Sequence, residues 1–175
     1  MSKMIAIVAC DKNNGIGFEG KIPWKNKQDQ QFFKQKTFGK TVIMGRKTMD
    51  SLPNKKLPHR LNIVLTTGGD LYRTTPCGDS HPLTYGPFGK ADIHTALNFA
   101  KDYFADYSSE IFIIGGRQIY ELVFKKNLVD EVYITNIEGN YECDAFFPMD
   151  YIKNWQKEKL DIEGLDVDYY KKVDA

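Results

Sequence analysis

A carboxylate, two glycine turns and a few cations are the residues of this 175-residue chain whose types and spacing could do chemistry. Asp29 follows Pro23-Trp24 and precedes Phe32 and Phe33 by helical spacing, so one helix face would turn the carboxylate toward an apolar cleft. A carboxylate there serves a ligand whose donors it accepts, and desolvation raises its pKa. The same position also suits an acid that merely complements a helix N-terminus. Gly115-Gly116 stands before Arg117-Gln118 at a strand-to-helix turn, where free N–H groups favour an anion, although such a pair also makes an ordinary tight turn. Gly45-Arg46-Lys47-Thr48 brings two cations to a second such turn, without the spacer and first glycine of a P-loop. With the hydroxyls of Thr66 and Thr67 these cations suit a phosphomonoester, such as the 2′-phosphate of a reduced nicotinamide cofactor; the plain alternative is a solvated pair. His59, His81 and His94 share no spacing, and there is no nucleophile elbow or HExxH, so the chemistry is not hydrolytic.

Strand ends must hold these residues. Apolar runs rich in β-branched residues predict buried strands at 5–10, 41–44, 61–65, 111–114 and 131–137, and helical spacing predicts helices at 28–37, 93–104 and 118–125. The alternation implies an α/β domain with a largely parallel sheet, in which ligands bind beyond the carboxyl ends of the strands. All the turns named above fall there. The segment 11–24 carries Gly15, Gly17, Gly20 and Pro23, a long loop of the kind that is often functional. Residues 68–89 read as an irregular surface excursion around weak strands, and 155–173 as an antiparallel hairpin at the sheet edge.

Composition sets the class. Hydrophobic residues at 42% and charged residues at 27% exclude a disordered chain, and one domain spanning 1–175 is expected. A net charge of +1 speaks against a nucleic-acid partner. Cys10, Cys77 and Cys143 are odd in number and lack metal-binding spacing, so neither a disulfide framework nor a metal is expected. No apolar run approaches the roughly 20 residues of a membrane span. Lys3 and the apolar run after it could be read as a short export signal, but read better as a first buried strand. A cytoplasmic monomer with a small-molecule substrate is the expectation.

The ordered set Ile7-Val8-Ala9, Gly15-Ile16-Gly17, Ile22-Pro23-Trp24, Asp29 with Phe33, Val42 to Thr48, Leu57-Pro58 with Arg60, Ile114-Gly115-Gly116, Tyr120, Tyr133-Ile134-Thr135 and Phe147-Pro148 resembles the dihydrofolate reductase family. The resemblance runs from residue 4 to about 150. It implies a mostly parallel sheet of about eight strands flanked by helices, with an antiparallel C-terminal hairpin. It further implies NADPH as cofactor and 7,8-dihydrofolate as substrate, reduced to 5,6,7,8-tetrahydrofolate. By the same resemblance Asp29 would hold the pterin and assist N5 protonation, with Trp24 and Thr135 anchoring its water and hydrogen-bond network. Ile7, Val8, Phe33, Leu57, Ile114 and Tyr120 would line the substrate pocket, and Arg60 would pair with the glutamate α-carboxylate. Ala9, Ile16, Gly17, Gly45, Arg46, Lys47, Thr48, Thr66, Thr67, Gly115, Gly116, Arg117 and Gln118 would meet the cofactor, across a Gly-Gly bond that is cis in the family. The loop from Gly15 to Lys21 would be a mobile lid.

Two departures stand out. Gln30 occupies a position that is usually bulky and apolar in the family, and Ile22 one where Leu or Met is common. A related reductase of riboflavin biosynthesis would share fold and cofactor, but Pro23-Trp24, Asp29 and Arg60 match the pterin and glutamate contacts instead. A binding module without catalysis would have no need to keep Asp29, Trp24 and Thr135 together.

Overall fold

Strand β1 (Lys3–Cys10) runs through the middle of an eight-stranded sheet and alternates between two cores. Met4 and Ala6 face one side, while Ile5 and Ile7 face the other. A strand covered on both faces has no solvent side to mark with polar residues, which is why its sequence is a continuous apolar run. The computed structural model describes residues 2–66 and 84–173.

Beside β1 lie β6 (Glu110–Ile113) and β7 (Glu131–Asn136), both parallel to it. Outward from β6 come β3 (Thr41–Gly45), β4 (Leu61–Leu65) and β5 (Tyr85–Lys90), also parallel. On the far side, β10 (Leu165–Lys171) pairs antiparallel with β7 and with β9 (Gln156–Ile162), forming the edge hairpin expected from the sequence. Helices α1 (Lys27–Thr37) and α2 (Arg46–Ser51) press Phe32 and Met49 onto the face of Ile5, Val42, Met44, Val64 and Phe112. Helices α3 (Ile93–Tyr103) and α4 (Arg117–Lys125) cover the opposite face with Ile93, Leu97, Val123 and Phe124. Each such side chain contributes about 1.5–3 kcal/mol by leaving water. Among the described residues, no helix is long and apolar enough to cross a membrane.

The described end of the segment 68–89 holds one of the weak strands expected there, and its residues up to 83 lie outside the described residues. Residues Tyr85–Lys90 form strand β5, although Gly86, Pro87 and Gly89 dilute its β signal. Gly86 adopts φ +85° where β4 and β5 shift register, and a Cβ there would strike the Asn62 carbonyl. That close approach demands glycine. Three further elements escape the periodicity reading because of their length: the six-residue α2, and the paired strands β2 (Gly15–Gly17) and β8 (Ala145–Phe146).

Candidate active site

Five parallel strands end side by side. Gly45 sits opposite Leu65 across β3 and β4, and its N–H donates to the Gly115 carbonyl at 2.8 Å. Ala9 lies opposite Thr135 across β1 and β7. Along this row the structure gathers Ile7, Val8 and Ala9, the Gly45–Thr48 turn, Thr66, the stretch from Ile114 to Gln118, and Thr135. Thr67 falls outside the described residues.

At one end of the row stands Asp29, the third residue of α1. Phe32, one turn on, is buried against the sheet, so the helix is held with its N-terminus over the ends of β1 and β7. Tyr133 and Thr135 share a face of β7 by strand alternation, and Tyr133 meets the Phe32 ring at 5.8 Å. Thr135, 1% exposed, hydrogen-bonds the Asp29 carboxylate. Burial raises the Asp29 pKa, and the Thr135 hydroxyl only partly offsets this. Asp29 forms no ion pair among the described residues, which sets it apart from a surface helix acid. Phe33, Leu57 and Ile114 are partly buried and pack onto the same core, giving an apolar wall beside the carboxylate. Gln30 is exposed.

Arg60 is charged and 4% exposed. Its Nε donates to the Pro58 carbonyl at 2.7 Å and its Nη1 to the Thr37 hydroxyl at 3.0 Å. No carboxylate pairs with it among the described residues, and burial lowers its pKa to about 10. The Asn62 side chain fixes the approach to it, accepting from the Leu57 N–H and donating to the Leu57 and Arg60 carbonyls. A buried guanidinium without a counter-charge is costly unless an anion arrives.

Glycine and cations dominate the other end. Gly115-Gly116 is a cis peptide, as the resemblance implies, and Gly116 is the residue from which α4 starts. Among the described residues, a Cβ on Gly116 would approach only the Thr48 hydroxyl, at 3.7 Å, so the backbone is open at this residue. Arg46, Lys47, Arg117 and Gln118 are exposed around it. Among the described residues, Arg46 and Arg117 hold only long contacts within their own helices, 3.6 Å to Asp50 and 3.8 Å to Glu121. Such half-exposed pairs are weak and readily exchanged for a phosphate. Tyr120 is directed elsewhere: its buried hydroxyl donates to the Ile7 carbonyl at 2.8 Å and its ring backs Gly115.

The loop after β1 is ordered by partners that the sequence reading misses. Asp11, 4% exposed, accepts from the backbone N–H groups of Asn13, Gly15 and Tyr141, and from the Cys143 thiol. Burial alone would raise its pKa, but these donors outweigh burial and hold it below the ordinary aspartate value. Asp144 adds a second tie: its N–H donates to the Gly17 carbonyl and its carboxylate accepts from Glu19 N–H. Phe18 and Lys21 exchange backbone hydrogen bonds around Glu19 and Gly20, both at positive φ, so the loop tip is a two-residue hairpin turn. Ile16 lies within β2, and Trp24 meets Tyr141 at 5.2 Å. Asn26, the N-cap of α1, also escapes the sequence reading, though the Asn26-x-x-Asp29 spacing is that of a capping box. Among the described residues no cluster of His, Cys, Asp or Glu could hold a metal ion.

Comparison with known proteins gives one family. Residues 3–169 match the family model described as dihydrofolate reductase. Dihydrofolate reductase of Haemophilus influenzae is 34% identical over 168 residues, covering 96% of this chain and 88% of its own length. A bifunctional dihydrofolate reductase-thymidylate synthase of Daucus carota is 36% identical over 82% of this chain, which spans 28% of that longer relative. A solved dihydrofolate reductase from Enterococcus faecalis, complexed with NADP(H) and RAB-propyl, superposes with a TM-score of 0.77 at 28% identity, covering 98% of this chain and 97% of that one.

Proposed function

This chain belongs to the dihydrofolate reductase family, and from that premise we propose that it is an NADPH-dependent oxidoreductase converting 7,8-dihydrofolate to 5,6,7,8-tetrahydrofolate. One observation carries the reading: a desolvated carboxylate without a cation and a desolvated guanidinium without an anion, among the described residues, accompany the same apolar wall. A ligand with paired N–H donors at one end, aromatic rings between, and a carboxylate at the other complements that pattern. Dihydrofolate has this form.

Asp29 accepts two parallel donors from the pterin edge, which orients the ring in a dry pocket. Its raised pKa keeps a proton near the site at a pH where an exposed aspartate has lost it, which favours protonation at N5. Trp24 and Thr135 hold the water and the carboxylate in register for that transfer. Ile7, Val8, Phe33, Leu57 and Ile114 pack the rings, Tyr120 supports them from behind, and Arg60 takes the glutamate α-carboxylate. NADPH, when bound, supplies the hydride.

The open backbone at Gly116 fits the cofactor's pyrophosphate, with Gly45 and Gly115 packed against Ile119 and Tyr120 at the same turn and Arg117 and Gln118 beside it. Arg46, Lys47, Thr48 and Thr66, with Thr67, suit the adenosine phosphate. Ala9, Ile16 and Gly17 border the nicotinamide, and the Gly15 to Lys21 loop covers it and excludes water. The reading takes residues 1–175 as one domain, monomeric and cytoplasmic. Near-equal opposite charges support a small-molecule partner over nucleic acid or a membrane surface.

Mixing the protein with NADPH and 7,8-dihydrofolate, with NADH in parallel, tests the proposal through the loss of reduced-nicotinamide absorbance. Turnover that prefers NADPH is expected. Binding of NADPH without turnover would assign the site to another substrate.

A further inference from the structure

We infer that Thr37 is a positioning residue for the reaction: its buried hydroxyl anchors the Arg60 guanidinium beside the apolar wall and leaves Nη2 open to the carboxylate of the substrate. The inference rests on the role proposed for Arg60. Thr37 is the last residue of α1 and is fully buried. Its Oγ1 donates to the Phe33 carbonyl, one turn back, at 2.8 Å and accepts from Arg60 Nη1 at 3.0 Å.

A threonine hydroxyl has one proton, and here the helix takes it. What Oγ1 turns to Arg60 is therefore a lone pair, which suits a guanidinium, a group that only donates. The Pro58 carbonyl, accepting Nε at 2.7 Å, is the second anchor. Both anchors belong to segments that carry the wall, since Thr37 is bonded to Phe33 itself and Pro58 follows Leu57. Both are also neutral. They fix the group without cancelling its charge, whereas a carboxylate at position 37 would compete with the ligand.

The remaining donors mark the binding edge. Nη2 has no partner among the described residues, and among them no buried side-chain nitrogen or oxygen lacks one. Nη2 is thus the accessible part of a residue that is 4% exposed as a whole. A planar fork engages a carboxylate well only from a fixed orientation, so turning the guanidinium weakens the hold on this end of the ligand. The junction itself does not depend on the hydroxyl: the Gly39 N–H donates to the His59 carbonyl at 2.9 Å, and the Phe38 ring stacks on His59 with centroids 5.0 Å apart. Thr37→Val, which keeps the branched shape and removes the acceptor, should therefore fold.

The test pairs nitrogen NMR of the Arg60 side chain in the ligand-free protein with steady-state kinetics, for wild type, Thr37→Val and Thr37→Ser. A pinned guanidinium gives separate Nη1 and Nη2 signals, and one that rotates freely merges them. In Thr37→Val the signals are expected to merge and KM for 7,8-dihydrofolate to rise about fivefold, while KM for 7,8-dihydropteroate, which lacks the glutamate, keeps its wild-type value. Thr37→Ser should restore both readouts. Signals that stay separate in Thr37→Val, or a KM that rises equally for both substrates, overturn the inference. Signals that merge while neither KM moves keep Thr37 as the anchor of Arg60 and reject the carboxylate assigned to Arg60 instead.

Discussion

Asp29 and Arg60 both carry charge into surroundings that disfavour it, and at both the ligand is what makes the arrangement worthwhile. For Asp29 the direction of the shift fixes the pH behaviour. A carboxyl whose pKa is higher in the folded state than the unfolded value of 3.8 favours folding most below that value, and the benefit is lost as pH rises through the folded pKa. At pH 7 the ionised group therefore weakens the ligand-free fold. Asp29→Asn should cut the hydride step by about 100-fold or more at neutral pH and leave NADPH binding intact. The same substitution should raise the thermal midpoint of the ligand-free protein, and calorimetry with single-turnover kinetics reads both. Near-normal turnover would remove Asp29 from the mechanism. Arg60, with a pKa of about 10, stays charged throughout the neutral range. Arg60→Lys replaces a planar fork by a point charge, so KM for dihydrofolate should rise about tenfold with little change in kcat. A substrate analogue lacking the glutamate should not distinguish the two proteins.

At the scale of elements, the loop between β1 and α1 depends on contacts that are remote in sequence. The Asp11 carboxylate accepts from Tyr141 N–H across 130 residues, so one side chain ties the stem of this loop to the approach to β8. Its pKa is lowered, so its contribution is present above 3.8 and is lost as pH falls through the folded value. Asp11→Ala should cost about 2 kcal/mol in urea unfolding at pH 7, and the gap from wild type should narrow in acid. Gly15→Ala probes the same junction sterically, since a Cβ would lie 2.5 Å from Cys143 Cβ and 2.9 Å from Asp11 Oδ1. Steady-state kinetics should show KM for NADPH raised more than tenfold as the two loops separate. None of this can be read from local pattern, because a single Asp in a glycine-rich loop carries no periodicity. The buried strands are legible in the sequence because parallel strands covered on both faces are uninterrupted apolar runs, as in Ile5 to Cys10 and Val42 to Met44. Strand β5 is not, since Gly86 and Pro87 answer a register shift that exists only once β4 is beside it. Asp29, Arg60 and Gly115-Gly116 are visible as residue types, but the burial of the first two, without a counter-charge among the described residues, is a property of packing.

For the whole molecule, the cofactor turns join β3 and β6 at the middle of the sheet, so occupancy there should be felt globally. A ligand at 100 times its Kd adds about 2.7 kcal/mol to the folded state, which is roughly 5–10 °C in a domain of this size. NADPH should raise the melting midpoint by that order, and NADH at equal concentration by less. Arg46→Ala should reduce the difference between the two cofactors. A shift equal for both would detach Arg46 and Lys47 from the 2′-phosphate.

The position of β1 also bears on how the protein is made. Both of its neighbours, β6 and β7, come from the second half of the chain, and the Met4 N–H finds its acceptor in Asp130, 126 residues later. On the ribosome the first strand emerges early and must wait, unpaired and apolar, until most of the polypeptide has followed it. A nascent chain stalled before Glu131 has no β7 for β1 to pair with and no Thr135 to meet Asp29. Small molecules that need the completed cleft therefore act on the protein only once β7 has been made.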